Sequence, residues 1–183
     1  MKNIPELFRE ELKPGERLVW TGRPRQGLML RPSDWFFIPF SLLWAGLAVF
    51  LEYLAFTRGI SAVWGLLGIP FILLGLYLVF GRFFVDQKRR AKAYYAITNE
   101  RIIILSGLFN QEIKTLEIKN LQEINTTRSS GGWGTITFGP AHPLDWFYYG
   151  SSFMEIGRYQ LSPAFDNIEA VKTVYLIVKR LQP

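Results

Sequence analysis

A cluster of basic side chains near the middle of the sequence has the residue types that bind anions. Its members are Arg82, Lys88, Arg89, Arg90 and Lys92. Lysine and arginine beside a bilayer attract anionic lipid headgroups by on the order of 1 kcal/mol per charge at low salt, and the attraction falls off within a Debye length. The same residues could instead fix membrane topology without contacting a headgroup. The cluster therefore predicts either lipid-headgroup contact or a topology signal alone.

A second unusual feature is a run of four adjacent aromatic residues, Trp146, Phe147, Tyr148 and Tyr149. Four consecutive rings cannot all face one core, because side chains in an extended segment alternate between its two faces. Amphipathic rings collect at membrane interfaces and at contacts between subunits. The run therefore predicts a membrane-surface or intersubunit contact, with the alternative that half of the rings belong to the core of a long strand.

The residue types required for catalysis are scarce. The chain has no cysteine and one histidine, His142, so thiolate zinc sites, cysteine nucleophiles and most histidine chemistry are excluded. No nucleophile, metal-binding group or pair of acids stands at a usable spacing. We expect no enzyme activity, no metal and no cofactor. The formal net charge of +6 suits an anionic partner, but no nucleic-acid-binding motif is present, so no nucleic-acid partner is expected.

Two long apolar segments precede the basic cluster. We predict transmembrane helices at about 35–56 and 60–81, because about 22 residues at 1.5 Å each span the bilayer's apolar core of about 30 Å. The short connection around Thr57, Arg58 and Gly59 makes them a helical hairpin. Two such segments could instead be buried helices of a soluble protein, but 183 residues are too few to surround them. Neither span has a charge in its interior, so anchoring is favoured over transport.

The distribution of positive charge sets the orientation of this hairpin. Lysine and arginine are concentrated before the first span and after the second, whereas the connection holds only Arg58. Positive residues favour the cytoplasmic side, so both termini are predicted to be cytoplasmic. The first thirty-odd residues lack the pattern of a cleavable signal peptide, and we expect the first span to be retained. Glu52, near the end of that span, is expected to reach the interface beside Arg58.

Small residues recur at helical spacing in both spans. They are Ser41, Ala45 and Ala48 in the first and Ser61, Gly65, Gly68 and Gly75 in the second. Small side chains let membrane helices approach closely. These faces therefore predict packing within the hairpin, or alternatively contact between protomers.

Beyond the hairpin the hydrophobic pattern becomes that of β-strands. Five short runs are predicted as strands: 93–98, 101–105, 113–118, 124–127 and 134–138. The C-terminal segment is predicted to be an amphipathic helix, with Asp166 and Glu169 forming a capping box at its start. At the N-terminus a short amphipathic helix contains Leu7 and Phe8, and it should dock on the domain or on lipid. The predicted division is an N-terminal segment 1–34, a transmembrane hairpin 35–82 and a cytoplasmic domain 83–183.

Several stretches of this sequence resemble the bacterial pleckstrin-homology (PH) domain membrane proteins. They are residues 95–103, residues 132–139, the Pro14-Gly15-Glu16 triplet and residues 20–24. The resemblance implies an α+β PH-like domain, a strongly bent antiparallel sheet of seven strands or partial barrel capped by the C-terminal helix. It also implies self-association or assembly, and location in the bacterial inner (cytoplasmic) membrane. Eukaryotic PH domains bind phosphoinositides through a basic loop between the first two strands, and here that loop is only Asn99 and Glu100.

Together these features predict a multi-pass, non-enzymatic membrane protein that presents a PH-like domain at the cytoplasmic surface. Its expected role is self-association as a homo-oligomer, or assembly with other membrane proteins as a scaffold. The alternative is a module that senses anionic lipids through the basic cluster. Membrane lipids are partners under either hypothesis.

Overall fold

The computed structural model describes residues 4–31, 34–59, 62–108, 110–140 and 162–182, without the side chains at 4, 62–65, 67 and 130. The chain forms two compact units. One contains the described residues up to Gly27 and from Gln87 onward, and the other contains Leu28–Asp86. The N-terminal segment up to Gly27 therefore shares a unit with the strands.

The unit Leu28–Asp86 is a pair of packed helices. Helix α2 spans Asp34–Thr57, and α3 spans Ala62–Leu76. A π-helical turn, Tyr77–Gly81, continues α3 without a break into α4, Arg82–Ala91. Two helical stretches, Asp34–Thr57 and Gly68–Ala91, are long and apolar enough to cross a membrane by length and composition. The first stretch coincides with the predicted span 35–56, whereas the second begins and ends later than the predicted span 60–81. Arg82, Lys88, Arg89 and Arg90 therefore lie on a continuing helix.

The described residues of the other unit form seven strands, two helices and the C-terminal part of α4. Four strands form the first sheet: β1, Leu18–Gly22; β2, Tyr94–Thr98; β3, Arg101–Ser106; and β4, Glu112–Glu117. Three strands form the second: β5, Ile124–Arg128; β6, Gly134–Phe138; and β7, Ala164–Ile168. Helix α1 is Ile4–Arg9, and α5 is Val171–Leu181.

Both sheets are antiparallel, with the strand orders β1-β2-β3-β4 and β5-β6-β7. A 3₁₀ turn, Ile118–Asn120, follows β4, and β4 does not pair with β5 among the described strands. The predicted bent sheet or partial barrel is therefore two hydrogen-bonded sheets, and no barrel is closed in the described part of the chain.

Helix α5 covers a core made by both sheets. Its buried residues Val174 and Val178 belong to one cluster with Ile97 of β2, Ile136 of β6 and Phe165 of β7. The spacing of four positions places the two valines on one face of the helix. The predicted C-terminal helix is thus present and buries its apolar face.

The predicted capping box is wrong. Asp166 lies in β7, and α5 begins only at Val171, after Ala170 in a left-handed conformation with φ of 50°. The pairing of β7 with β6 fixes residues 164–168 as a strand. An aspartate is unfavourable in a strand interior, but the buried Phe165 and Ile168 on either side favour this arrangement.

The N-terminal helix docks on the first sheet. Phe8 of α1 is fully buried, and it packs with Ala96, Ile103 and Leu105 of β2 and β3. Of the two predicted docking surfaces, domain or lipid, the structure shows the domain.

Candidate functional site

The first candidate feature is a pair of salt bridges near the ends of the apolar helices. Arg82, at the start of α4, places its Nη2 3.0 Å from Oδ1 of Asp34 in α2. Arg31 places its Nη2 3.0 Å from Oδ1 of Asp86, also in α4. The two pairs are linked, because the other carboxylate oxygen of Asp34 accepts from the backbone N–H of Arg31 at 2.6 Å. We call these four residues the helix-end clasp.

The guanidinium of Arg82 also contacts two aromatic rings. Its guanidinium lies 4.6 Å from the ring centroid of Phe83 and 5.6 Å from that of Phe37. Both Arg82 and Asp34 are buried. A buried charge is stabilised only with a partner, so the main role of Arg82 in this structure is to join α2 to α4.

A second predicted lipid-binding residue, Arg90, is also occupied within the protein. It is buried, and its guanidinium donates to the backbone carbonyls of Arg25 and Gly27, at 2.5 and 2.7 Å. It therefore fastens the segment after β1 to the C-terminal part of α4.

The remaining basic residues of the cluster are nearer the surface. Lys88 and Lys92 are exposed, Arg89 is half-buried, and Lys92 Nζ donates to the carbonyl of Leu108 at 2.6 Å. The basic residues that were predicted to contact headgroups thus differ in their exposure. Arg82 and Arg90 are buried and bind groups within the protein, whereas Lys88 and Lys92 are exposed residues, and the ammonium of Lys92 is hydrogen-bonded to Leu108.

Two of the small residues of the helical hairpin, Ala45 and Gly75, lie where α2 meets α3. A Cβ built on Gly75 would lie 3.0 Å from Cβ and 3.1 Å from Cα of Ala45, closer than ordinary van der Waals contact. Ser41 is buried and donates to the carbonyl of Ile38 at 2.9 Å. Ala48 is half-buried one turn further on. Ala45 and Gly75 are therefore in close contact, and a packing role for the set of small residues stays a prediction.

Glu52, near the end of the first span, was predicted to reach the interface beside Arg58. The carboxylate of Glu52 lies against Gly68, where any Cβ would clash with it. Glu52 is half-buried between the helices, and among the described residues it makes no ion pair with Arg58.

Some predicted residues lie outside the described part of the structure. They include Ser61 and the contacts around Gly65. The aromatic residues Trp146 to Tyr149 and His142 are also outside the described part.

Another candidate feature lies in the unit that contains the strands. It joins the N-terminal segment to the hairpin formed by β2 and β3. Arg101 donates from Nε and Nη2 to the two carboxylate oxygens of Glu16, at 2.8 and 2.9 Å. Thr98 Oγ1 donates to the same carboxylate at 2.6 Å, and the backbone N–H of Lys13 donates at 2.8 Å. We call Glu16, Thr98 and Arg101 the carboxylate clamp.

The electrostatics of the clamp follow from these contacts. The hydrogen bonds from Arg101, and then those from Thr98 and Lys13, lower the pKa of Glu16 to about 2, although burial opposes the shift. The same ion pair raises the pKa of Arg101. Glu16 is therefore ionised at neutral pH, and its hydrogen-bonding capacity is used within the fold. The clamp is a structural feature rather than an acid–base catalyst.

The sequence interpretation missed the acidic partners in both the helix-end clasp and the carboxylate clamp. Asp34, Asp86 and Glu16 carry the counter-charges, but none was singled out as a partner of a basic residue. A usable signal was present for Glu16, since both Pro14-Gly15-Glu16 and the Thr98–Arg101 turn carry the family resemblance. Among the described residues, no group of three or more His, Asp or Glu could hold a metal ion.

Comparison with known families agrees with this architecture. The family model described as Bacterial PH domain matches residues 40–180, so its match begins within α2 and ends in α5. The chain therefore belongs to the bacterial PH domain family, as its sequence predicted. The matched range includes most of α2 and all of α3 and α4, but not α1, β1 or the clamp residue Glu16. No curated protein and no solved structure matches the chain.

Proposed function

We propose that this protein is a non-enzymatic integral membrane protein that presents its PH-like domain at the cytoplasmic membrane surface for self-association or assembly with other membrane proteins. The observation that carries the proposal is the exposure of the two apolar helices. Only 6% of the most apolar window of Asp34–Thr57, and 11% of that of Gly68–Ala91, is buried within the chain. The core helix of a soluble protein would be covered by the protein, whereas helices in a bilayer are covered by lipid.

The proposed topology is tested by labelling, because the chain contains no cysteine. We expect a membrane-impermeant maleimide to label Arg58→Cys, in the short connection, from outside intact spheroplasts. Lys172→Cys, on the exposed side of α5, should be labelled only after lysis. Labelling of both positions, or of Lys172→Cys alone, in intact spheroplasts would contradict cytoplasmic termini.

Self-association is supported by strand β4, which lies at the edge of its sheet among the described strands and is almost entirely exposed. Its Ile113 is 43% exposed. Exposed edges of this kind are available for pairing with another chain. We expect the full-length protein in mild detergent to have the mass of an oligomer. A strict monomer that captures no partner on crosslinking in native membranes would contradict the proposal.

The contribution of β4 is tested with one substitution and a matched control. Ile113→Lys should lower the oligomer mass by placing a charge at the contact. Leu176→Lys, at a similarly exposed position on α5, should leave the mass unchanged. Equal effects of the two variants would mean that β4 is not the contact.

The alternative function is binding of anionic lipid, and the exposed Lys88 and Lys92 support it. Because Arg82 and Arg90 are buried, this hypothesis now depends on fewer charges than the sequence suggested. A fragment beginning near residue 83 would lack β1 and α1, so the full chain should be used. In nanodiscs of mixed phosphatidylglycerol and phosphatidylcholine, Lys88→Gln with Lys92→Gln should lose phosphatidylglycerol enrichment. Lys172→Gln with Lys179→Gln, on α5, is the matched control. Undiminished enrichment in the first pair would refute a headgroup site there.

A further inference from the structure

The segment that leads into α2 exposes apolar side chains just outside the predicted span. Leu28 is 64% exposed and Leu30 is 71% exposed, whereas Met29 between them is half-buried. Alternation with a period of two places Leu28 and Leu30 on the same side of an extended chain. Two exposed leucines would not stabilise a short linker that is surrounded by water. This side of the segment is therefore a candidate binding surface.

The helix-end clasp fixes the position of this segment within its unit. Arg31 follows Leu30 directly, and it is bound to Asp86 through its guanidinium and to Asp34 through its backbone N–H. Three residues of extended chain cover at most about 11 Å. Leu28 and Leu30 are therefore held close to the ends of α2 and α4, where a spanning helix would enter the interface.

Exposed aromatic residues lie at the same helix ends. Trp35 is 90% exposed, Phe36 is 60% exposed and Phe84 is 57% exposed. Tryptophan and other amphipathic rings concentrate at the level of the lipid headgroups, and charged residues there remain close to water. Aromatic, aliphatic and ion-paired side chains together have the composition of a membrane interface rather than of a contact between soluble surfaces.

We propose that residues 28–30 lie in the boundary between the headgroups and the acyl chains of the cytoplasmic leaflet, with Leu28 and Leu30 in contact with lipid. The ligand of this surface is the bilayer itself. The proposal rests on the proposed membrane insertion and extends it: the connection between the PH-like unit and the first span is a third membrane contact. The sequence predicted membrane-surface contacts for the basic cluster and for Trp146 to Tyr149. It did not predict them for residues 28–30.

The absence of cysteine makes a direct test possible. Leu28→Cys and Leu30→Cys are prepared separately in the full chain, labelled with a nitroxide and reconstituted into phosphatidylglycerol–phosphatidylcholine vesicles. Collision rates are measured with oxygen, which concentrates in lipid, and with a water-soluble nickel chelate. Leu43→Cys in α2 and Leu176→Cys in α5 are the controls, both exposed in the structure.

We expect the ratio of oxygen to nickel accessibility at Leu28 and Leu30 to be several-fold higher than at Leu176, and lower than at Leu43. A ratio equal to that at Leu176, with Leu43 still in lipid, would overturn this inference and leave the membrane anchor intact. Protection from both reagents would mean a protein contact and would also overturn it. A water-accessible Leu43 would instead contradict the membrane insertion itself. Each leucine gives an independent reading if the other variant does not fold.

Discussion

The carboxylate clamp predicts a specific dependence of stability on pH. The perturbation is Glu16→Gln, which retains the size of the side chain but removes its charge. The Glu16 side chain is completely buried, and its oxygens accept from Arg101, Thr98 and the backbone of Lys13. The substitution therefore leaves the Arg101 guanidinium without its counter-charge and weakens the link between residues 11–17 and the turn after β2.

The magnitude follows from the shifted pKa. A fall from the ordinary value of 4.5 to about 2 corresponds to at most about 3.5 kcal/mol, since one pKa unit is about 1.4 kcal/mol. The Arg101 side chain is partly exposed, and solvent screening of the ion pair on that side reduces the expected contribution to about 1–2 kcal/mol. Because the folded-state pKa is depressed, the contribution is fully present above the unfolded pKa. It is lost progressively as pH falls from about 5 toward 2.

The assay is chemical unfolding of the PH-like unit in detergent-solubilised full-length protein, followed by tryptophan fluorescence between pH 7 and pH 3. At pH 7 Glu16→Gln should lower the free energy of unfolding by about 1–2 kcal/mol, and the difference from wild type should shrink as pH falls. Glu112→Gln, at an exposed position on β4, is the control. A difference between wild type and Glu16→Gln that stays constant over this range would refute the reasoning.

Three further substitutions test the packing. Phe8→Ala should cost about 3–5 kcal/mol, seen in the same unfolding assay, because α1 loses its buried ring; a cost below about 1 kcal/mol would contradict its docking on the sheet. Gly134→Ala should cost about 1–3 kcal/mol, because the new Cβ would lie 2.9 Å from Val171 Cγ1; a neutral effect would contradict this close approach. Gly75→Ala should lower the melting temperature of the hairpin measured by circular dichroism, whereas the control Gly46→Ala, with open space around its Cβ, should not. Equal melting temperatures would refute close packing at Gly75.

The elements with a strong local pattern were predictable from sequence. Strand β6 was predicted at the positions that it occupies, and β2 through β5 were predicted to within one residue at each end. Their β-branched residues and the turns between them are local signals. The two apolar helices were predictable for a similar reason, because a long run without charge has few alternative structures.

The strands that were missed depend on distant partners. Strand β1 contains Leu18 and Trp20 but ends in Thr21 and Gly22, and it becomes a strand by pairing with β2, more than seventy residues later. Strand β7 contains Asp166 and Asn167, which are poor strand formers, and its position is fixed by pairing with β6 and by the burial of Phe165. Tertiary pairing overrides local propensity in both cases, and a single sequence carries no record of it.

The basic cluster shows why a charge pattern alone predicts a site poorly. Residues Arg82 to Lys92 look equivalent in sequence, because positive charge beside a span is expected whether or not it contacts lipid. Their roles are separated by acceptors far away in the chain: Asp34 for Arg82, and the carbonyls of Arg25 and Gly27 for Arg90. A buried arginine requires such partners, so the partners determine which cations remain available to a headgroup. Lys88 and Lys92 are exposed, but the Lys92 ammonium also donates to the carbonyl of Leu108, so the charge available for lipid is smaller than the sequence suggests.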